Sequence, residues 1–516
     1  MKVKYVGGFI ALWVIDSLFL ALGGGQVFAS NQAPQALPVD RVSPELYQKL
    51  KELAPNGQLS VIVNLASQTD LRDLGASLKS LPTERRATEV ESTLQAKARR
   101  EQASLRTRLA QLEAQGQVSQ VIPFWIFNGI GVTAPVEVIQ ELAGRSDVAS
   151  IIPDQVIQAQ PNPGGVLTTT LPASNPNLSL IDVPAVWALG FRGQGIVVAN
   201  LDSGVDGTHP DLATRYRGGT NSWYDPYEQH ATPTDLAGVA TGHGTATMSL
   251  MVGGNASGSN IGVAPDAKWI AAKIFNDAGS ATTTAIHLAF QWVLNPNHNT
   301  ANPGTPQVVS SSWGSIIWGC DLSYQPDVQA LLAAGILPVF SAGNFGPHPG
   351  TGTSPANLPE SFSVGAINNT SLSATFSSRG PDSCGRSAPV VFPLVVAPGV
   401  NVPVAAPGGK YTTLSGTSFS APETAGVLAL LLSAFPTLSP AAQANALTTT
   451  AVDLGPVVGP DNDTGYGRID ALAAYNSLKG FTPASPTPTV TLTPTPISSP
   501  AGTPPPKKTY FPIIGH

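Results

Sequence analysis

Between about residues 180 and 480, short continuous apolar runs alternate with stretches of small residues, and this alternation restricts the fold more than any other feature. The runs are IVVANLD (196–202), WIAAKIF (269–275), QVVSSSWG (307–314), ILPVFSAGN (336–344), FSVGAI (362–367) and VVFPLVVAPG (390–399). β-Branched runs of this kind, separated by helical segments, imply a mostly parallel sheet covered by helices on both faces. Functional sites in such sheets gather at the carboxyl ends of the strands. The chain has 516 residues, of which 42% are hydrophobic and 12% charged, enough to fill a large core.

The flanking segments have a different texture. Residues 1–29 carry Lys2 and Lys4, then an apolar stretch, then Val27-Phe28-Ala29, which is the pattern of a signal peptide; Asp16 departs from it, and an uncleaved anchor helix is the alternative. Residues 30–160 read as a small α+β domain. Within it LSVIVNLA (59–66) is expected as a strand, 84–114 as one long solvated helix with an apolar stripe of leucines at 94, 105, 109 and 112, and FWIFNGIGVTAP (124–135) as a strand or hairpin. VEVIQELAG (136–144) is expected as a helix and VASIIPDQVIQ (148–158) as a last strand. No catalytic cluster appears there, which leaves a folding or inhibitory role. Residues 161–180, beginning PNPGG, read as a linker, and 481–516 as a Pro/Thr-rich tail with a short apolar tip, either a spacer or a disordered end. The net charge of −6 counts against nucleic acid as the main partner. Two cysteines, Cys320 and Cys384, are too few for a disulfide scaffold but suffice for one bridge in an oxidising compartment.

Four motifs sit where strands end or helices begin. VVANLDSGVDGTHPDL (197–212) delivers Asp202 into a Ser-Gly turn, and GHGTATMSLMVGG (242–254) sets His243 between glycines at a helix start. ILPVFSAGN ends in Asn344, and GTSFSAP (416–422) places Ser418 before the apolar run 425–435. Each has a plain reading: Asp202 as a turn residue, His243 as a surface histidine, and Ser418 as a helix cap with Pro422 in the first turn. Together they supply what acyl transfer needs. Serine is a weak nucleophile until an imidazole takes its proton, the imidazole needs a carboxylate to orient it, and the developing oxyanion needs donors already in place.

In the order Asp202, His243, Asn344, Ser418, the chain resembles the subtilisin-like serine endopeptidases, and within them the bacillopeptidase F-type branch, from SSWG followed by AAGILPVFSAGN and from ATFSSRGP. The resemblance runs from 185 to 478. It implies a three-layer α/β domain over 181–480, with Asp202 orienting His243, His243 as general base and acid, Ser418 as nucleophile, and Asn344 with the Ser418 N–H holding the oxyanion. It implies that 30–160 is a propeptide acting as folding template and inhibitor, cut off near 158–175; the signal-like start and the tail point to an enzyme secreted or held at the cell surface. Ser312, Trp313 and Gly314 are expected to line one side of the substrate cleft, with Ser341, Ala342 and Gly343 opposite; core packing is the alternative for Trp313. Cys320 follows SSWG and Cys384 lies in the loop after SSRGP; with export a Cys320–Cys384 disulfide is expected, and two separate thiols are the alternative.

Two departures bear on the implied site. Glu423 stands five residues after Ser418, where the family usually has His, so altered helix packing is expected rather than lost activity. Asp211 matches a frequent calcium ligand of the family, but the loop 254–265 is shorter than the form that wraps the ion; a structural calcium stays open, and the chemistry requires no cofactor. An acid peptidase of the sedolisin type is disfavoured by GHGT and SAGN, because that family has Glu and Asp at the corresponding places. A non-catalytic surface-binding protein is disfavoured by the intact set of four residues.

Overall fold

Seven parallel strands form the central sheet of the computed structural model, in the order Val395–Pro398, Phe362–Ile367, Pro338–Ser341, Val308–Ser311, Val197–Asp202, Lys268–Lys273 and Trp223–Tyr224. The structure describes residues 40–161, 165–171, 175–299, 304–315, 318–456 and 458–480. In chain order the strands are β1 (Gln58–Leu65), β2 (Ser119–Phe124), β3 (Gly129–Pro135), β4 (Val148–Pro153), β5 (Val156–Gln158), β6 (Val197–Asp202), β7 (Trp223–Tyr224) and β8 (Lys268–Lys273). They continue with β9 (Ser280–Thr282), β10 (Val308–Ser311), β11 (Pro338–Ser341), β12 (Phe362–Ile367), β13 (Val395–Pro398), β14 (Val402–Ala406) and β15 (Lys410–Leu414).

The continuous apolar strands are buried on both faces, and successive residues serve different layers. Val198 packs with Met248, Met251 and Leu428 from the helices His243–Val252 and Thr417–Ala434. Its neighbour Ala199 packs with Ile286, Phe290 and Leu331 from the helices Thr283–Leu294 and Gln325–Ala334. Because the strands are parallel, the carboxyl ends of β6, β10 and β11 emerge on one side and carry Asp202, Ser312 and Asn344 there.

The N-terminal block is an antiparallel sheet in the order β2-β3-β1-β4 with helices against it. Two expectations are corrected. The segment 84–114 is not one solvated helix but two, Thr83–Glu101 and Ala103–Ala114, joined at Gln102. The Gln102 side chain is buried and donates to the Phe124 carbonyl at 2.7 Å and the Gly129 carbonyl at 3.2 Å, tying the joint to the sheet. The first of these helices faces the second domain rather than water: Ala87, Val90 and Leu94 share a core with Ile286, Phe290 and Leu331. The segment 148–158 is also two strands, since β5 leaves the first sheet and pairs antiparallel with β9 of the second domain.

Cys320 and Cys384 form a disulfide with an S–S distance of 2.07 Å across a sequence separation of 64. It joins the loop after β10 to the loop before β13. Among the described residues no helix is long and apolar enough to cross a membrane. Removing the bridge by Cys320→Ser with Cys384→Ser is expected to lower unfolding stability by roughly 2–4 kcal/mol, because the unfolded chain regains loop freedom. Denaturant unfolding followed by tryptophan fluorescence measures it, and an unchanged midpoint would contradict the expectation.

Candidate active site

The β6 turn and the His243 helix meet through missing side chains. Gly242 precedes the helix in a left-handed conformation (φ 90°). A Cβ on Gly244 would lie 2.0 Å from the Gly204 carbonyl oxygen, so only glycine permits the two segments to touch. At that contact His243 Nδ1 lies 2.7 Å from Asp202 Oδ1. The carboxylate is held further by the Ser203 N–H at 2.7 Å on Oδ1 and the Thr247 hydroxyl at 3.2 Å on Oδ2. Asp202 is 2% exposed and His243 15%, so water screens their attraction weakly. Burial pushes the His243 pKa down, but the charge and hydrogen bond of Asp202, aided by Asp235, outweigh it, and the net position is above the ordinary histidine value.

Ser418 is the second residue of the Thr417–Ala434 helix, so its N–H belongs to the first turn and has no preceding helical carbonyl to bond. Pro422 lies in the second turn, not the first as the capping reading had it. It has no N–H to give the Ser418 carbonyl four residues back. That carbonyl instead accepts the Ser312 hydroxyl at 2.8 Å, while the Ser418 hydroxyl donates to the Ser312 carbonyl at 3.3 Å. The helix start is thereby locked to the end of β10. Asn344 Oδ1 accepts from the Thr417 N–H at 2.9 Å and the Thr417 hydroxyl at 3.0 Å, which fixes the amide plane and leaves Nδ2 available.

A cleft of about 580 Å³ brings Asp202, His243, Asn344 and Ser418 together, with Ser312, Trp313, Gly314, Ser341 and Gly343 on its walls. Ala342 is not among the lining residues; it is fully buried, and its N–H bonds the Val364 carbonyl. Trp313 serves both readings, lining the cleft while its ring packs edge-on to Tyr324 and Phe340. Phe275, Phe345 and Phe376 add apolar surface. Gln158, Ala159, Gln160 and Pro161 of the N-terminal block and linker also line the cleft.

Sequence reasoning missed the supports behind this cleft. Asp235 is buried and accepts from the Ser203 hydroxyl at 2.8 Å, the Thr245 N–H at 2.8 Å and the Thr245 hydroxyl at 2.6 Å. Lys273, fully buried, donates to the carbonyls of Ser203 at 3.2 Å, Phe275 at 2.6 Å and Leu236. One ammonium thus ties the segments behind Asp202, before His243 and after β8; burial pulls its pKa below the ordinary lysine value. The signal was present: a lysine inside the otherwise apolar run WIAAKIF.

Asp211, at the place of a frequent calcium ligand of the family, accepts from two protein donors, the Ala256 N–H at 2.7 Å and the Tyr411 hydroxyl at 2.8 Å. Among the described residues no group of three or more His, Cys, Asp or Glu side chains is placed to hold a metal. Glu423 is fully buried in the Ser418 helix, and burial holds its carboxyl well above the usual range, offset in part by Asn177.

Comparison with known proteins matches residues 193–467 to the profile of peptidase S8, the subtilase family. Bacillopeptidase F of Bacillus subtilis (strain 168) is 36% identical over 419 residues, covering 75% of this chain and 28% of that longer protein. Subtilisin E of the same strain is 30% identical over 339 residues, covering 64% of this chain and 77% of the relative. M-protease of Shouchella clausii (strain KSM-K16) is 33% identical over 307 residues, covering 59% and 71%.

The Asp202 contact predicts a titration. His243 followed by NMR is expected to lose its proton at a pH above the ordinary value of about 6.5. In Asp202→Asn the midpoint is expected to fall, because burial then acts with less opposition. An unshifted midpoint in the variant would show that the contact does not govern the imidazole.

Proposed function

Because the chain belongs to the subtilase family, we propose that it is a serine endopeptidase, secreted or surface-held and made as a propeptide-inhibited zymogen. The observation that carries the chemistry is the 2.7 Å Asp202–His243 contact inside the cleft that also holds Ser418 and Asn344. The Ser418 hydroxyl turns from the Ser312 carbonyl toward His243 Nε2, gives up its proton and attacks the substrate carbonyl. Asp202 keeps the Nδ1 proton in place and stabilises the imidazolium. The oxyanion is met by Asn344 Nδ2 and the Ser418 N–H at the positive end of the helix. His243 then protonates the leaving amine, and water releases the acyl group by the same steps in reverse order.

Substrate is proposed to bind as an added strand on β9, since β5 already pairs there, with Ser312–Gly314 on the other side. The same pairing supports an inhibitory role for residues 30–160. The signal-like start, which lies outside the described residues, and the Cys320–Cys384 bridge support export. The tail 481–516 is also outside the described residues, and a role in surface attachment rests on its composition. The proposed chemistry draws only on groups of the chain itself.

The purified protein is expected to take a fluorophosphonate label on Ser418 once the N-terminal block has been removed, and Ser418→Ala to take none. Labelling that survives in the variant would refute the nucleophile. Asn344→Ala is expected to lower kcat by about 10²–10³ with little change in KM, measured on a peptide substrate; an equal loss confined to KM would remove Asn344 from the oxyanion role.

A further inference from the structure

The start of the segment that links the two domains enters the cleft in the manner of a substrate. β5 pairs with β9 through Val156↔Thr282, Ile157↔Ala281 and Gln158↔Ser280. The pairing extends one residue further, where the Ala159 N–H donates to the Gly279 carbonyl at 2.8 Å, and Ala159 is 8% exposed. Beyond it Gln160 and Pro161 are exposed and line the cleft with His243, Asn344 and Ser418. On the far side Thr168 exchanges both backbone hydrogen bonds with Tyr411, at 2.8 and 2.9 Å, on the β14–β15 hairpin that leads into Ser418. The described residues therefore run along β9 on one side and along β15 on the other, and Gln160–Pro161 is the first peptide bond between two residues that both lie beyond the paired stretch.

We infer that Gln160–Pro161 is the bond this chain presents to its own nucleophile, and that Pro161 makes it slow to cut; the inference rests on the peptidase reading above. Cleavage there forms the Ser418 Oγ–Gln160 carbonyl carbon bond and breaks the bond from that carbon to the Pro161 nitrogen. The serine proton passes through His243 to that nitrogen, which leaves as a secondary amine, and water then frees the Gln160 carboxylate from Ser418. Proline resists this step for a structural reason. Its nitrogen carries the ring Cδ where other residues carry hydrogen. For departure the nitrogen lone pair has to face His243, which brings the ring carbon into the walled space beside the imidazole. The intact segment then occupies the cleft for longer, and the residue after the cut sets how long the zymogen persists.

The test follows full-length wild type, Pro161→Ala and Ser418→Ala by mass spectrometry and N-terminal sequencing over time. In Pro161→Ala a new N-terminus at position 161 is expected to appear at least about tenfold faster than any new N-terminus in wild type. Once matured, both are expected to hydrolyse an unrelated peptide with equal kcat/KM, so that the effect belongs to the self-presented bond. Failure of Pro161→Ala to yield an N-terminus at 161, or its doing so at the wild-type rate, would overturn the inference. If cleavage at another bond still depends on Ser418, only this inference fails. If Ser418→Ala matures like wild type with no protease added, the peptidase reading fails with it.

Discussion

A carboxylate and an imidazole, 41 residues apart in sequence, are held 2.7 Å apart in a site from which water is largely excluded. The proposed chemistry depends on that contact, and the contact depends on two backbones passing at a distance that no side chain would allow. Gly244 supplies the approach to the Gly204 backbone, and Gly204 in turn lets the turn lie against the Thr234 carbonyl. Behind them Asp235 and Lys273, both buried, collect donors and carbonyls from the surrounding loops. Buried charged groups are costly unless satisfied. Here the cost is offset by several hydrogen bonds to each, and the return is a turn and a helix start with little freedom to separate.

The same parallel sheet that aligns the strand ends also explains why the N-terminal block docks where it does. The helices Thr283–Leu294 and Gln325–Ala334 cover one face of the sheet, and their outer sides carry apolar residues that share a core with Phe124, Phe127 and Leu94. Main-chain and polar groups finish the contact. Asp154 accepts from the Thr284 N–H at the start of one helix, and Arg86 donates to the Leu332 and Ala333 carbonyls at the end of the other. These are the ends where a carboxylate and a guanidinium are favoured by the helix dipole. Docking thus completes both helices and feeds β5 toward the cleft.

Much of the second domain was legible because continuous β-branched runs have few ways to be buried. IVVANLD and FSVGAI appear as β6 and β12 with nearly the same ends. The run 390–399 became a strand only over Val395–Pro398, because Val390 instead bonds back to Asp382 within its loop. The N-terminal block was less legible. The apolar stripe of 84–114 was visible, but whether it faced its own sheet or another domain is not a property of periodicity. Ala342 was misjudged for a related reason: adjacent residues at a strand end point to opposite sides, and spacing along a motif does not say which side faces the cleft. Asp211 accepts from the Tyr411 hydroxyl, 200 residues away, a partner that neither position announces in the sequence.

The residue types alone determined which groups were available: one carboxylate, imidazole, amide and hydroxyl, each at the edge of an apolar run, and two cysteines able to form a single bridge. They also determined the layered architecture, since continuous apolar strands need cover on both faces. Tertiary structure decided what those groups meet. It turned Asn344 with Thr417, locked Ser418 to Ser312 through a carbonyl that Pro422 leaves unbonded, and laid Gln160 and Pro161 in the cleft. The physical reason is range: burial and periodicity are local and written along the chain, whereas hydrogen bonds act over about 3 Å between segments whose separation in sequence carries no trace of that distance.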